Sequence, residues 1–375
     1  MQTSIKTYIA LMLSVVSILA NCQGVKASSR FFERSDVFTD ISASEIEAPI
    51  QINRVVDPGK AESVTLANDK YPGRSQSRVQ FNQDPQGETG LKKQWALEQI
   101  QALPSPQIAG SNTQIRVAVL DTGIDRSHED LHGKVMAEIN FTESATTSDI
   151  YGHGTHIAGI IAADSENCLG IVGLAPESLL LNVKVADDTG RCQPSALADG
   201  IVWAVNNGAN IINISIELRE STSELQEAID YAWRNGAIII AAAGNDGGET
   251  PVYPAGYENC LGVAAIQETG ALAPLSNYGN WVDVAAPGFN IYSTLPNNSY
   301  GYKHGTSFAT AYVSGLAALL FPLVTDTNGD HRLNDEVRQV IESGCRDIGV
   351  EGAGRGCINV TNSLVETALI NKALP

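Results

Sequence analysis

Five short runs of almost unbroken apolar residues punctuate the chain, at 115–120, 179–185, 210–214, 237–242 and 262–266. None alternates apolar with polar positions, as a strand with one wet face does. Continuous runs of this length suit strands buried on both faces of a parallel sheet. Between them the spacing of apolar positions turns helical, giving amphipathic helices over 196–207 and 223–235. The second opens on Ser223 and Gln226 at capping-box spacing and stops near Gly236. Strands alternating with helices predict an α/β fold of three layers, a doubly wound, mostly parallel sheet.

The first eighty residues lack this order. Lys6 precedes an apolar run from Tyr8 to Ala20, too short to cross a bilayer and suited to a signal-peptide core. Val25-Lys26-Ala27 supplies small residues at the two positions a cleavage site needs. A competing reading takes Leu19-Ala20-Asn21-Cys22 as a bacterial lipidation box that would anchor the protein through Cys22. Asn21 suits that box poorly, so secretion without a membrane span is the expectation. Residues 28–81 are polar, rich in Ser and charge, with little periodicity, a short pro-region or a linker. The division is therefore 1–27 signal peptide, 28–81 polar segment and 82–375 a single patterned domain.

Composition narrows the partners. The 375 residues are 43% hydrophobic, ample for a core, and 34 glycines suit many tight loops. A net charge of −18 argues against nucleic acid and anionic membranes, and suits an exported, soluble protein able to carry calcium. Export permits disulfides. Losing Cys22 with the signal leaves five cysteines, one of them odd. Cys345 and Cys357, flanking a short Gly-rich loop, are the expected pair, and Cys260 opens an apolar strand as a buried thiol.

Three short motifs carry the chemistry: Asp121-Thr122-Gly123, His153-Gly154-Thr155-His156 and Gly305-Thr306-Ser307. Each sits where a predicted strand or loop meets a turn or a helix. A serine hydroxyl is a poor nucleophile until a base takes its proton, and the base needs a third group to fix its tautomer. One motif alone is an ordinary turn or helix cap; an acid, an imidazole and a hydroxyl together are a nucleophilic set.

These motifs resemble those of the subtilisin-like serine proteases, the subtilases. The segments 115–125, 153–159 and 305–310 are similar to the family's aspartate, histidine and serine segments, in the same chain order. The likeness runs from Asn82 to Asn362. It implies a sheet of the subtilisin type and a serine endopeptidase acting on proteins or peptides, with a monomer expected. Asp121, His153 and Ser307 would form its triad, and Asn245 in Ala241-Ala242-Ala243-Gly244-Asn245-Asp246 its oxyanion hole. Substrate would lie along two backbone edges, one at Gly190, the other at Ser215, Ile216 and Glu217. Ala242, Gly244 and Val252 would line the pocket for the residue before the cut, with Glu217 and Asp246 near its rim. That makes a shallow apolar pocket with some tolerance for basic residues.

The chain departs from the family pattern in places. Glu217 and Leu218 replace glycines common at the second edge, Cys192 also stands where glycine is usual, Phe308 replaces methionine and Ala311 proline. The crowded edges keep open a catalytically silent binding protein, and an acyl-transfer enzyme is the rival within the fold. By the same resemblance Cys168 and Cys192 lie on neighbouring loops, and Tyr253-Pro254 matches a cis bond. A structural calcium is implied at Asp84, Asp130 and Asn167, with the carbonyls of Asp164, Leu169 and Ile171. A second calcium candidate is read from acid spacing alone, Asp326, Asn328 and Asp330, although His331 stands where an EF-hand loop has glycine.

Overall fold

The structure is a computed structural model, and it describes residues 50–52, 90–102, 114–167 and 169–373. The signal peptide, Cys22, most of the 28–81 segment, Asp84 and Cys168 lie outside the described residues.

In chain order the strands are β1 (Ile50–Ile52), β2 (Arg116–Asp121), β3 (Val135–Asn140), β4 (Leu179–Lys184), β5 (Ile211–Ile214), β6 (Ile216–Leu218), β7 (Ile238–Ala242), β8 (Cys260–Ile266), β9 (Val284–Pro287), β10 (Ile291–Leu295) and β11 (Ser299–Lys303). The helices are α1 (Trp95–Gln99), α2 (His153–Ala162), α3 (Pro194–Asn206), α4 (Ser223–Arg234), α5 (Thr306–Leu320), α6 (Asn334–Ser343) and α7 (Val360–Ala373). Seven strands form one parallel sheet in the order β3-β4-β2-β5-β7-β8-β9. β10 and β11 form an antiparallel hairpin, and β1 runs parallel beside β6 with Gln51 opposite Glu217.

Each apolar run serves two cores at once, which is why it does not alternate. In β2, Val117 and Val119 face the helices α2 and α5, whereas Ala118 and Leu120 face α3 and α4. Ile238 and Ile240 of β7 join the first cluster, and Ile239 and Ala241 the second. This is the three-layer α/β fold that the apolar runs predict. α5 is buried along all fifteen of its residues, so it needs no polar face.

Strand order reverses direction around β2, which has β4 on one side and β5 on the other. Such a reversal opens a crevice at the carboxyl ends of the strands, where open α/β sheets hold their ligands. Asp121 is the last residue of β2 and stands at that crevice.

Local details differ from the sequence reading. α4 is capped by Thr222 rather than Ser223, since the Thr222 hydroxyl accepts the Leu225 N–H at 3.3 Å. Cys345 and Cys357 are thiols, not a disulfide: each Sγ points to a nearby carbonyl, of Ile341 at 3.2 Å and of Ile358 at 3.4 Å. Burial raises both, to about 12 and about 11. Cys192 is likewise a buried thiol, not part of a bridge to Cys168, and so is Cys260. The Tyr253-Pro254 bond is cis. No helix among the described residues is long and apolar enough to cross a membrane.

Candidate active site

Asp121, His153 and Ser307 come from three different elements, the end of β2 and the first turns of α2 and α5. All three are buried, at 0%, 1% and 1% exposure, so charges there interact with little screening by water. The His153 ring offers Nδ1 to both carboxylate oxygens of Asp121, at 2.8 and 2.9 Å. With its proton on Nδ1, that ring has Nε2 as its basic nitrogen. Asp121 also accepts the Thr122 N–H at 2.7 Å, which keeps its carboxylate in place. Gly154 must follow the histidine: a Cβ there would overlap the Gly123 carbonyl and press on Asp121 at 3.0 Å.

A fourth group, absent from the sequence reading, ties this pair together. Asp149 is fully buried and accepts the Gly152 N–H at 2.7 Å and the Thr155 N–H and hydroxyl at 2.8 and 2.7 Å. Those donors lie at the start of α2, where backbone N–H groups lack helical partners. Its other link is the Thr122 hydroxyl, 2.8 Å away, which also accepts the Gly154 N–H at 3.1 Å. Asp149 therefore joins the helix that carries His153 to the strand that carries Asp121. Burial raises its pKa, hydrogen bonds from Thr155 and Gly152 oppose that, and the Asp121 charge adds to it. Lys184, opposite Asp121 on β4, is equally buried; its Nζ donates to the Thr122 carbonyl and pairs with Asp188 at 2.9 Å.

His156 lies one turn further along α2. Its Nε2 is 3.2 Å from the Gly301 carbonyl, and burial, with Lys303 and His153 adding, holds its pKa well below the usual histidine value. It is a neutral structural ring. Phe308, next to Ser307, packs on both histidines, with ring centroids 5.4 Å from His153 and 4.7 Å from His156.

Ser307 is the second residue of α5, after Gly305 and Thr306. Among the described residues its Oγ has no hydrogen-bond partner. Hydrogen bonds to a nucleophile commonly close only when substrate is bound. Its carbonyl receives the Ser215 hydroxyl at 3.4 Å, and a line of contacts continues through Asn213 to Ser314. Asn245 follows β7, and its carbonyl accepts the N–H and the hydroxyl of Thr306. That assigns the carbonyl end of the amide and turns its N–H bonds the other way.

Ser215, Ile216 and Glu217, and likewise Ala242, Gly244 and Val252, are all buried. Glu217 is fully buried, whereas Asp246 is exposed and pairs with Arg219 at 2.7 Å. Gly190 lies in a turn with φ of +78°, its N–H bonded to the Asp187 carbonyl at 2.9 Å, beside the bridge between Ala186 and Cys192.

The two loops considered for calcium behave differently. Asp130 accepts the Asn167 amide at 2.8 Å, the Ile171 N–H at 2.9 Å and the Tyr300 hydroxyl at 3.0 Å. The Asp164 N–H meets the Asp130 carbonyl at 2.9 Å, and the Asn167 carbonyl takes the Leu169 N–H at 2.9 Å. Burial raises the Asp130 pKa in spite of these donors. In the other loop Asp326 accepts the N–H groups of Gly329 and His331, Asn328 that of Asp330, and Asp330 takes the Arg332 guanidinium at 3.0 Å from Nε. Among the described residues no three His, Cys, Asp or Glu side chains cluster as a metal site.

Known proteins carry the same arrangement of sequence. The model of the Subtilase family matches residues 112–352, more than half of the chain. A thermophilic serine proteinase from Bacillus sp. (strain AK1) is 44% identical over 62% of this chain and 56% of its own length. Thermitase from Thermoactinomyces vulgaris is 42% identical over 61% of this chain and 82% of its own. Subtilisin from Bacillus pumilus is 40% identical over 69% of this chain and 93% of its own.

Proposed function

Since the chain belongs to the subtilase family, we propose that it is a serine endopeptidase that hydrolyses peptide bonds through Asp121, His153 and Ser307. The observation that carries this reading is the pair of hydrogen bonds from His153 Nδ1 to Asp121 inside a dry crevice. His153 Nε2 takes the Ser307 proton as Oγ attacks the peptide carbonyl, forming a tetrahedral intermediate. The same proton passes to the leaving amine, giving an acyl-enzyme and a free amino terminus. Water, activated by His153, then attacks the ester, releases the carboxylate and restores the Ser307 hydroxyl. Asp121 holds the ring and favours its protonated form without becoming protonated itself.

The oxyanion formed in each half meets the Asn245 amide and the Ser307 N–H, one of the helix-start donors without a helical partner. Its charge also gains from the dipole of α5. The extended substrate lies against Ser215, Ile216 and Glu217, with Gly190 on the opposite edge.

The protein is secreted after removal of residues 1–27, in this reading, and 82–375 is its catalytic domain. Residues 28–81 cover the cleft before maturation, supported by β1 along the β6 edge. A structural calcium would be held by the side chains of Asp130 and Asn167 with Asp84, and by the carbonyls of Asp164, Leu169 and Ile171. Its donor set is all oxygen once Asn167 turns its carbonyl inward. In the second loop Asp330 is already paired with a cation of its own, the Arg332 guanidinium, so the metal is assigned to the first loop alone.

The test is covalent labelling of the purified protein with a fluorophosphonate, beside the Ser307→Ala variant. Labelling that vanishes in the variant is expected. Folded, processed protein that does not label would sink the reading and favour a silent site. Product masses separate hydrolysis from acyl transfer to an amine.

A further inference from the structure

Lys184 is the last residue of β4 and stands opposite Asp121 in the register of β2 and β4. Side chains alternate along β4: Leu181 and Val183 enter the core under α3 and α4, and Leu180 the other. Lys184 falls on the side of Leu180, and Asp121 on that of Val117 and Val119, so both project toward α2. Among the described residues no other Lys or Arg is at 0% exposure, and Lys303 at 8% is the next. A cation shut away from water must have its charge met by the protein. The Lys184 ammonium donates to the Thr122 carbonyl and pairs with Asp188 at 2.9 Å.

Thr122 is the residue through which the acid and the imidazole are held. Its N–H donates to Asp121, and its hydroxyl donates to Asp149 and accepts the Gly154 N–H. An ammonium on its carbonyl fixes the same residue from a third side. The charge matters as well as the bond. Asp121 contacts the His153 ring, Asp149 belongs to the same buried network, and both carboxylates favour a proton on that ring. Asp188, at 39% exposure, cancels the ammonium only in part, because water screens it. Of the other titratable groups around the pair, His156 is neutral, and Lys303 acts on His156. Burial raises the Cys192 thiol, with Asp121 and Asp187 adding, so it carries no charge. On β3 the partner of Lys184 is Asn140, which is uncharged.

We propose that Lys184 is a positioning residue for the acid and the imidazole: it braces the turn that holds Asp121, and its fixed positive charge keeps His153 in the neutral form that can accept the Ser307 proton. This rests on the peptidase reading. Two carboxylates alone would hold a proton on the ring up to a higher pH, leaving less of the protein with a free base. An ammonium on the neighbouring strand opposes that protonation without touching substrate.

The experiment follows the rate of fluorophosphonate labelling from about pH 5 to pH 9, where the imidazole titrates. Lys184→Gln keeps a donor for the Thr122 carbonyl and loses the charge. Its acid limb should move up by about half a pH unit or more, the scale of one partly screened charge. Lys184→Arg keeps the charge and should leave the limb where it lies in the wild type. A lysine that only supports the structure gives the opposite sign. Loosening Asp121 from the ring would move the limb down, since Asp121 is what favours the protonated form. A limb that stays or falls in Lys184→Gln, or rises as far in Lys184→Arg, would overturn the proposal. Should Lys184→Gln not fold, Asp188→Asn at its half-exposed position decides. It leaves the ammonium uncancelled, so the limb should move down, and an unmoved limb overturns the proposal. Folded, processed wild-type protein that labels at no pH would instead overturn the peptidase reading.

Discussion

The carbonyl of Asn245 accepts two hydrogen bonds from one residue, Thr306: from its N–H at 2.9 Å and from its hydroxyl at 3.0 Å. The same hydroxyl accepts the Gly244 N–H at 3.1 Å, so the threonine clamps both residues. Thr306→Val keeps the shape and the backbone bond but frees the amide to turn. A loss of about tenfold in kcat is expected, with KM changed little, because the amide acts on charge that develops in the transition state. In subtilisin itself, loss of the corresponding asparagine costs about 10²- to 10³-fold, which sets the upper limit. Steady-state kinetics of Thr306→Val and Thr306→Ser check this; equal kcat in all three proteins would refute it.

Asp149 should matter twice. Asp149→Ala strands the donors of Gly152, Thr155 and Thr122 in a dry site, at about 1–3 kcal/mol for each buried group. The expected loss is on the order of 3 kcal/mol or more in denaturant unfolding. Asp149→Asn keeps one of the two acceptor oxygens and removes a charge near His153, so the acid limb of kcat/KM should move to lower pH. A variant with unchanged stability and pH profile would show that the carboxylate does not join the two motifs.

His156 gives a pH dependence of stability with a definite sign. Its folded pKa lies well below the ordinary value of 6.5 because the ring is buried. Between the two values the unfolded chain holds a proton that the folded protein does not. Its contribution is thus complete above pH 6.5 and is lost as pH falls through that window, at up to about 1.4 kcal/mol per pH unit. Urea titrations between pH 7 and 5 should show a shallower decline in His156→Gln than in the wild type. Because His156 stays neutral there, the acid limb of kcat/KM should titrate a single proton, that of His153.

Calcium should raise Tm, and a chelator lower it. At a concentration about 100-fold above Kd the metal adds about 2.7 kcal/mol. Asp130→Asn should abolish that increment, whereas Asp326→Asn should leave it intact. Calorimetry with and without calcium distinguishes the two loops, and an increment that survives in Asp130→Asn assigns the metal elsewhere.

Five strands, β2, β4, β5, β7 and β8, were legible because each is buried on both faces and so is written in apolar residues; β6 and β9, equally buried, are too short to make such a run. β3 was not, since its residues are only partly buried and its pattern mixes Glu138 and Asn140 with Val135 and Ile139. The β10–β11 hairpin escaped for a related reason, its tyrosines and serines giving no continuous run. Asp121, His153 and Ser307 could be read because their neighbours are unusual: glycine must follow His153 to pass Asp121. Asp149 carried no such mark. It is an aspartate in a polar loop, and only the fold turns four donors toward it. Thr222 and Ser223 are both hydroxyl residues before one helix, and sequence alone does not choose between them. Cysteine spacing likewise says nothing of where each sulfur points, which is what separates Cys345 from Cys357.

The order in which the chain supplies its chemistry also has a meaning for biosynthesis. The acid and the imidazole sit on β2 and α2, early in the chain, whereas the hydroxyl rides on α5, which is buried along its whole length and follows every described strand. A chain leaving the ribosome therefore holds only two of the three groups from residue 153 to residue 307 of its synthesis and can cut nothing. The hydroxyl comes into place only when the central helix is swallowed by the finished core, so that completion of the fold is itself the safety catch.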